Sequence, residues 1–440
     1  MLDLSTTGFA AAEPPGLALA PGSVLDSFEL RIGERVIWSG ESLVVHASGG
    51  RLGGRFTSGI VDLQQLRIGA TLEQRLATLR EQQARLPAEW RAAVADLRQL
   101  LEEVRREVEH LERTDMRPWD RDEETQLLRG LRARWANVYV DAITRLHEMS
   151  KTLDDRAAAL GRQYASSMLM PILAACPLQR RAYEKPLGYA GDYRMMELCM
   201  GQELTSDGLF ARFLYSIALD DYTLVRTVRS REVVMRDAIR GALAIPGADP
   251  ARVLAMAAGP AVELRRLLEE THELPRPAHF ILLDQDAAAH ETAHRHLTRV
   301  LLERHGGMLP VTVRCLRFSV CQMLKPKTWE DEHVVYQELA DLDLIYSAGL
   351  YDYLPDLVAA SLTKLLYGRL RAGGRLLLGN LVETPDSTWV MDYVLGWHLR
   401  YRTEDAMLRM AETLWPRPTQ ATIVRDATGR CLFLDVRKPA

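Results

Sequence analysis

The sequence Pro-Ala-Arg-Val-Leu-Ala-Met-Ala-Ala-Gly-Pro-Ala-Val-Glu occupies residues 250–263, and the organisation of the chain follows from it. Residues 253–256 form an apolar run with the length of a buried parallel strand. The small residues that follow allow the backbone to pass close to a ligand. Apolar side chains at helical spacing come next, from Val262 to Leu268. A strand, a small-residue turn and a helix in this order predict the start of a nucleotide-binding α/β unit.

From residue 252 to the end of the chain, short apolar runs alternate with helical patterns. This alternation predicts a parallel sheet that is covered by helices on both faces. The last two runs are separated by six residues, so we predict one antiparallel strand at the end of the sheet. The predicted strands are 253–256, 279–283, 311–316, 342–347, 375–379, 421–424 and 431–436.

Upstream of this unit, the residue pattern divides the chain into four parts. Residues 1–21 are rich in Ala, Gly and Pro and predict a disordered tail. Short strand-like runs punctuated by Gly predict a small β-domain over 22–70. Helical spacing predicts a helical hairpin or linker over 71–165 and a helical lid and substrate cap over 166–249. The α/β core is then expected over 250–440.

The small β-domain faintly resembles a PilZ module. That family binds a cyclic dinucleotide through an Arg-xxx-Arg pair and a later Asp-x-Ser-xx-Gly motif. Arg51 and Arg55 have the spacing of the pair, but the second motif does not follow them. A dinucleotide-binding domain and a plain docking domain therefore both stay open.

The helical region carries an apolar stripe whose members step by four and three residues, as a helix–helix seam requires. Two antiparallel helices packed on each other would bury it. A homodimer through a coiled coil is the alternative. The stripe consists of Leu97, Leu101, Val104, Val108 and Leu111.

Composition and charge restrict the function class. The chain of 440 residues is 47% hydrophobic with a net charge of −4, which is typical of a globular protein without a nucleic-acid footprint. No apolar run has the length of a membrane span. The five Cys residues have no metal spacing, so we expect reduced thiols and a cytoplasmic location. His290, His294 and His296 are interpreted as a solvated helix face, and no metal is predicted.

In strand order and motif position, residues 250–440 resemble the class I S-adenosylmethionine (SAM) dependent methyltransferases. The resemblance implies an α/β fold with a Rossmann-like seven-stranded sheet and SAM as the cofactor. In that family the turn after the first strand lies under the methionine part, and the acid ending the second strand binds the ribose. The loop after the third strand holds the adenine, and the end of the fourth faces the methyl group. The matching residues are Ala257, Gly259, Pro260, Glu263, Asp284, Gln285, Phe318, Ser319, Val320, Ser347, Ala348, Gly349 and Leu350.

The sequence departs from the family pattern at the turn. Ala255 occupies a position where many members have an acid, and Ala257 and Ala261 replace the outer glycines. The Gly-x-Gly-xx-Gly spacing of dinucleotide oxidoreductases is absent. The turn therefore favours SAM over a dinucleotide, and it leaves the contacts of the methionine carboxylate open.

Four segments in order resemble one bacterial methyltransferase group, labelled extracellular factor 3-hydroxypalmitic acid methyl ester biosynthesis protein. The resemblance implies methyl transfer to an oxygen of a small molecule, with the carboxylate of a 3-hydroxy fatty acid as the leading acceptor. An N- or C-methylating tailoring enzyme of secondary metabolism is one alternative. A nucleotide-sensing regulatory protein on the same fold is another. The segments are 185–193, 258–263, 347–354 and 397–402.

Aromatic side chains on a Gly-jointed loop make a good wall or lid for a ligand. Residues 183–193 have this composition, and Trp397 lies in the last resembling segment. We therefore predict that the substrate contacts Tyr183, Tyr189, Tyr193 and Trp397.

The acceptor decides which further residues are needed. A carboxylate is ionised at neutral pH and needs mainly positioning, for which Arg400 or Arg402 is the candidate. A hydroxyl or an amine would need a base. The candidates for this base are Tyr351 and His398. We expect His398 to lie on a helix. Asp352 is predicted to cap the helix that begins near Pro355.

Overall fold

The computed structural model describes residues 3–12, 19–32, 35–114, 119–201, 208–246 and 249–440. The chain divides into two units, Met1–Leu86 and Pro87–Ala440. In the described part of the first unit, five antiparallel strands pair in the order β1-β2-β5-β4-β3 and a helix, α1, follows them. The bounds are β1 (Asp3–Leu4), β2 (Gly8–Ala12), β3 (Val24–Ile32), β4 (Arg35–Ser48), β5 (Arg51–Phe56) and α1 (Leu63–Arg85).

The prediction of a disordered tail over residues 1–21 is wrong for residues 3–12, which form β1 and β2. Phe9 explains the difference, because its ring stacks on Phe28 at 4.3 Å between centroids and lies beside Phe56. A single large aromatic side chain therefore anchors an otherwise small-residue segment. Residues 1, 2 and 13–18 of the predicted tail lie outside the described residues.

Arg51 and Arg55 lie on β5, and both are exposed. Residues four apart on a strand project from the same face, so the two guanidinium groups share one side of the sheet. Their binding of a cyclic dinucleotide stays a prediction.

The second unit begins with helices that precede the α/β core. The predicted two-helix hairpin is replaced by three long helices, because Asp120 and Asp154 cap new helices after each break. The helices are α2 (Ala88–Thr114), α3 (Arg121–Ser150), α4 (Asp155–Leu173), α5 (Pro177–Glu184), α6 (Tyr193–Cys199), α7 (Leu209–Asp220) and α8 (Thr223–Leu243).

The apolar stripe of α2 faces the inside of this unit. Leu97, Leu101, Val104 and Val108 are buried, and α2 contacts α3, α4 and α7. These four side chains are therefore not available to a second copy, and the coiled-coil alternative loses the stripe that suggested it.

A buried serine connects this helical region with the C-terminal part of the unit. The Ser150 hydroxyl accepts hydrogen bonds from the indole N–H groups of Trp90 and Trp389, each at 2.9 Å. Trp389 also stacks on Tyr393. Because these residues come from distant parts of the chain, the helices before the core are packed into the same unit as the core.

The core alternates strands and helices over residues 250–440, which the structure describes without a gap. Its elements are β6 (Ala251–Met256), α9 (Val262–Glu270), β7 (Ala278–Asp284), α10 (Ala287–His305), β8 (Val311–Arg317), α11 (Val320–Leu324), α12 (Trp329–His333), β9 (Leu342–Ser347), α13 (Asp356–Arg369), β10 (Leu370–Leu381), α14 (Pro385–Trp389), α15 (Glu404–Glu412), β11 (Gln420–Arg425) and β12 (Cys431–Arg437).

These strands form a seven-stranded sheet in the order β11-β12-β10-β9-β6-β7-β8. The pairs among β6, β7, β8, β9 and β10 are parallel, and β12 runs antiparallel to both of its neighbours. The predicted Rossmann-like α/β fold, with one antiparallel strand near its end, is confirmed.

The strand order changes direction at β6, which lies between β9 and β7. Ligands of open α/β sheets bind outside the carboxyl ends of the strands at such a switch point. A ligand site is therefore expected at the residues that directly follow β6, β7 and β9. In the described residues, no helix has both the length and the apolar character needed to span a bilayer.

Candidate functional site

A cavity of about 440 Å³ lies at the carboxyl ends of the central strands. Its floor comes from the segments after β6, β7, β8 and β9, and its walls come from α6, α8 and the loops around residues 190 and 398. The topology thus brings together segments that are up to two hundred residues apart. Twelve of the thirteen residues that match the SAM-binding positions of the resembling family line the cavity: Ala257, Gly259, Pro260, Glu263, Asp284, Gln285, Phe318, Ser319, Val320, Ala348, Gly349 and Leu350.

The turn after β6 has positive φ angles at every second residue: 51° at Ala257, 52° at Gly259 and 48° at Ala261. The two alanines therefore adopt the left-handed conformation that glycine adopts without steric cost. Holding an L-residue there costs roughly 1–2 kcal/mol. The turn keeps a glycine-like backbone path although two of its three left-handed residues are alanines.

Asp284 ends β7 and ties the turn in place. Its Oδ2 accepts a hydrogen bond from the Gly259 N–H at 2.8 Å, and its Oδ1 accepts one from the Asp286 N–H at 3.0 Å. Burial raises the pKa of this carboxyl group. Since each carboxylate oxygen can accept a second hydrogen bond, Asp284 can hold the turn and still bind a diol.

The segment after β8 forms an apolar side of the cavity. Phe318 is buried, and Ser319 and Val320 line the cavity beside it. The Ser319 hydroxyl and Gln322 form a capping box at the start of α11. The cap holds this short segment in place, so that the apolar side chains of Phe318 and Val320 line the cavity.

Ser347 is the exception among the predicted SAM-binding residues. Its side chain is fully buried, and its hydroxyl donates to the Met256 carbonyl oxygen at 3.1 Å. It therefore connects β9 to β6 below the cavity and does not line it. The neighbouring Ala348, Gly349 and Leu350 do line it.

Three of the four aromatic residues that we predicted to contact the substrate line the cavity. Tyr189, Tyr193 and Trp397 line the cavity, whereas Tyr183 is 49% exposed and lies outside it. The Tyr189 hydroxyl donates to Asp286, which connects the loop to the start of α10. Burial and the Asp286 carboxylate raise the pKa of Tyr189.

Neither predicted catalytic residue lines the cavity. His398 is exposed and pairs with Asp392. The helix expected around it is absent, because residues 397–403 follow Gly396 in an irregular segment. Tyr351 is fully buried with its hydroxyl 3.0 Å from that of Thr363, and burial raises its pKa.

The two predicted arginines also lie outside the cavity. Arg400 is exposed, and its backbone N–H donates to the Asp352 carbonyl oxygen at 2.7 Å. Arg402 is buried and braces the segment after β9, because its guanidinium donates to Asp356, to Asn380 Oδ1 and to the carbonyl oxygen of Tyr351. A buried guanidinium with these partners is a structural brace.

Asp352 is a cavity residue that the sequence interpretation assigned wrongly. It does not cap α13, whose N-cap is Pro355. It is 2% exposed, lines the cavity and accepts a hydrogen bond from the Leu381 N–H at 2.7 Å. Burial raises its pKa to about 7, against the opposing effect of Arg231. Its position five residues after the fourth strand was the signal that could have found it.

Arg231 was missed because nothing in the sequence connects it to the core. It lies on α8, is 6% exposed and lines the cavity. Its Nη1 donates to the Ala348 carbonyl oxygen at 3.2 Å, and its Nη2 lies 3.5 Å from the Met196 sulfur. A Cβ at Gly349 would lie 3.2 Å from both terminal nitrogens, so a glycine there leaves room for the guanidinium.

Apart from Arg231 and Glu232, the side chains that α6 and α8 contribute to the inner part of the cavity are apolar. Met196 and Met200 come from the α6 segment, and Leu224, Val228 and Met235 come from α8. Methionine side chains adapt to the shape of what they contact. The helices before the core therefore supply an apolar compartment next to the polar ends of the strands.

The three histidines of α10 lie away from this cavity. His290 is buried, contrary to the solvated face that we predicted, and burial lowers its pKa. The negative charge of Asp284 opposes this shift in the pKa of His290. Among the residues that the structure describes, no group of three or more His, Cys, Asp or Glu side chains could hold a metal ion.

No known protein family and no curated protein matches the chain. Among solved structures, a protein of Bordetella parapertussis described as a possible exported protein is 18% identical, with a TM-score of 0.42, over 70% of this chain and 98% of its own. The SAM-dependent methyltransferase SibL is 15% identical, with a TM-score of 0.39, over 80% and 97%. Magnesium protoporphyrin IX methyltransferase from Synechocystis is 11% identical, with a TM-score of 0.35, over 49% and 86%.

Proposed function

We propose that this protein is a SAM-dependent methyltransferase that acts on an oxygen of a small molecule. The observation that carries the proposal is the cavity at the switch point of the sheet. It combines a glycine-like turn, a buried carboxylate at the end of the second core strand and an apolar surface after the third. Its volume of about 440 Å³ is in the range of small-molecule sites.

The residues of the cavity fit the parts of SAM. The backbone of residues 257–261 would contact the methionine part, Asp284 would accept hydrogen bonds from the ribose hydroxyls, and Phe318 and Val320 would flank the adenine. When bound, SAM supplies an electrophilic methyl group on a sulfonium cation. The chain contributes binding, orientation of the acceptor and exclusion of water.

We infer that the acceptor is the carboxylate of an amphiphilic acid, with 3-hydroxy fatty acids as the leading class. The compartment formed by Met196, Met200, Leu224 and Val228 would take an apolar chain. A carboxylate needs no base, and His398 and Tyr351 both lie outside the cavity. Trp397, whose indole N–H donates to the Tyr353 hydroxyl at 2.8 Å, forms a rigid aromatic wall for the acceptor.

Asp352 favours a second candidate, the methylation of a hydroxyl or an amine. It is a buried carboxyl group in the cavity with a pKa raised to about 7. A group with this pKa is well suited to accept a proton at neutral pH. A tailoring enzyme of secondary metabolism would use it in this way.

The cofactor part is tested by isothermal titration with SAM and with S-adenosylhomocysteine. We expect Asp284→Asn to weaken binding by about tenfold or more, since it removes a charged acceptor of the ribose hydroxyls. Asp237→Asn is a matched control, because Asp237 lies on the exposed side of α8 away from the cavity. If no heat of binding is detected at millimolar SAM, the proposed SAM-dependent function is refuted.

The acceptor part is tested by product analysis. The protein is incubated with methyl-labelled SAM and with 3-hydroxy fatty acids of several chain lengths, and the labelled product is identified by mass. A carboxylate methyl ester loses its label in mild alkali, whereas an ether or an N-methyl group keeps it. Alkali-stable label would refute the carboxylate acceptor and support the second candidate.

A further inference from the structure

The methionine end of SAM carries two opposite charges, an α-carboxylate and an α-ammonium group. Buried charges need charged or hydrogen-bonded partners. Many members of the resembling family have an acid at the position of Ala255, and alanine offers no partner to the ammonium group. The structure must therefore supply both partners from elsewhere if SAM binds in the proposed orientation.

Arg231 is a buried cation whose guanidinium has N–H donors without a protein partner among the described residues. A guanidinium has five N–H donors, and the partners seen for Arg231 are one carbonyl oxygen and one weak sulfur acceptor. In the described part of the chain, no carboxylate lies within 4.0 Å of it. The Asp352 and Glu263 carboxyl groups feel the charge of Arg231 but form no ion pair with it. A cavity-lining guanidinium that is 6% exposed is therefore suited to bind a carboxylate from a ligand.

Glu263 is the complementary group. It lies in the first turn of α9, directly after the left-handed Ala261, and lines the cavity while being 6% exposed. The Tyr346 hydroxyl donates to its Oε1 at 2.7 Å. This bond fixes the side chain and leaves capacity at the carboxylate to accept from an ammonium group.

The two side chains are held near each other by the same strand end. Arg231 is anchored to Ala348 and Glu263 to Tyr346, on and just past β9. Burial raises the pKa of Glu263, and the positive charge of Arg231 opposes this shift. An anion-binding group and a cation-binding group therefore flank the turn where the methionine part of SAM is expected.

We propose that Arg231 and Glu263 form a clamp for the amino-acid end of SAM, with Arg231 binding the carboxylate and Glu263 the ammonium group. The inference rests on the proposed function. In this chain the clamp takes the place of the acid that Ala255 lacks. The carboxylate of the acceptor is the other possible anion for Arg231, and the requirement for Glu263 separates the two sources.

The test compares two ligands of the full-length protein by isothermal titration. S-adenosylhomocysteine has the amino-acid end, and 5′-methylthioadenosine has the same nucleoside without it. We expect Arg231→Gln and Glu263→Gln each to weaken S-adenosylhomocysteine binding by about tenfold or more and to leave methylthioadenosine binding within about twofold. Asp284→Asn, which acts on the ribose, should weaken both ligands.

Other outcomes overturn the clamp. If Arg231→Gln weakens the binding of both ligands equally, Arg231 has a structural role only. Arg231→Lys is a second variant that keeps the buried positive charge, so that a folding defect of Arg231→Gln can be recognised. We expect Arg231→Lys to weaken only S-adenosylhomocysteine binding. If S-adenosylhomocysteine binding is unchanged and the acceptor KM rises, Arg231 serves the acceptor, and the clamp is refuted while the proposed function stands. If the wild-type protein binds neither ligand, the proposed function itself fails.

Discussion

Ala257 and Ala261 hold left-handed backbone conformations in a turn where glycine would have no steric cost. From the sequence, these alanines weakened the match to a SAM-binding turn. The structure has the glycine-like path in spite of them, with φ of 51° and 48°. Strain of this kind is kept where the surrounding structure imposes it, and here the Asp284 carboxylate and the start of α9 do so.

This strain predicts opposite effects for two neighbouring substitutions. Ala257→Gly relieves a left-handed alanine, whereas Ala258→Gly adds chain entropy at a residue that has no positive φ. We expect Ala257→Gly to be more stable than Ala258→Gly by about 1–2 kcal/mol. Chemical unfolding curves of the two variants measure the difference, and equal midpoints would contradict the strain.

Asp352 makes the pH dependence of activity diagnostic of the acceptor. Its pKa is raised to about 7, so the group is neutral below that pH and charged above it. A carboxylate acceptor is repelled by the charged form, so activity should fall as pH rises through about 7. A hydroxyl or an amine needs the charged form as a base, so activity should rise over the same range.

For the proposed carboxylate acceptor, we expect Asp352→Asn to remove the fall in activity above pH 7 and to keep the activity seen below it. Asparagine can still accept the Leu381 hydrogen bond, so the fold is preserved. Initial rates between pH 5.5 and 8.5 measure the effect. A loss of about 100-fold or more across the range would instead identify Asp352 as the base.

At the scale of elements, the strands of the sheet were predictable from the sequence, whereas the segments that cover the cavity were not. Buried parallel strands are continuous apolar runs, and the seven predicted runs lie within the seven strands of the sheet. A helix was expected around His398, but residues 397–403 are irregular and follow Gly396, whose φ is 58°. The side chains that α8 directs into the cavity had no pattern that separated them from ordinary core residues.

The loop at 185–192 is connected to α10 by Tyr189, whose hydroxyl donates to Asp286. We expect Tyr189→Phe to speed amide hydrogen exchange in this loop, because the loss of the bond frees one end of the cap. Tyr183→Phe is a control, since Tyr183 is exposed and outside the cavity. Unchanged exchange in Tyr189→Phe would mean that packing alone holds the loop.

At the scale of the whole molecule, the cavity belongs entirely to the second unit. Its lining residues lie between 189 and 399, and the division of the chain falls at Leu86 and Pro87. The helices before the core share the buried Trp90, Ser150 and Trp389 contacts with it. The smallest part that should keep the site is therefore residues 87–440, and not the α/β core alone.

Two truncations follow from this organisation. Residues 87–440 should fold and bind S-adenosylhomocysteine within about twofold of the full chain, because a domain with its own core folds alone. Residues 250–440 should not, because they lack α6 and α8 and leave apolar surface open. Titration calorimetry and thermal unfolding of both truncated proteins test this expectation. Binding by residues 250–440 with the affinity of the full chain would refute the role of the helical wall.

The sequence by itself determined the α/β sheet, its single antiparallel strand and the segments that meet at the strand ends. These features depend on local hydrophobic periodicity and on small residues next in the chain, both of which are visible in sequence. The tertiary structure alone decided which polar side chains face the cavity. Arg231 and Asp352 face it, and His398, Tyr351 and Arg402 do not. The orientation of a polar side chain depends on partners far away in the chain, and no local pattern records them.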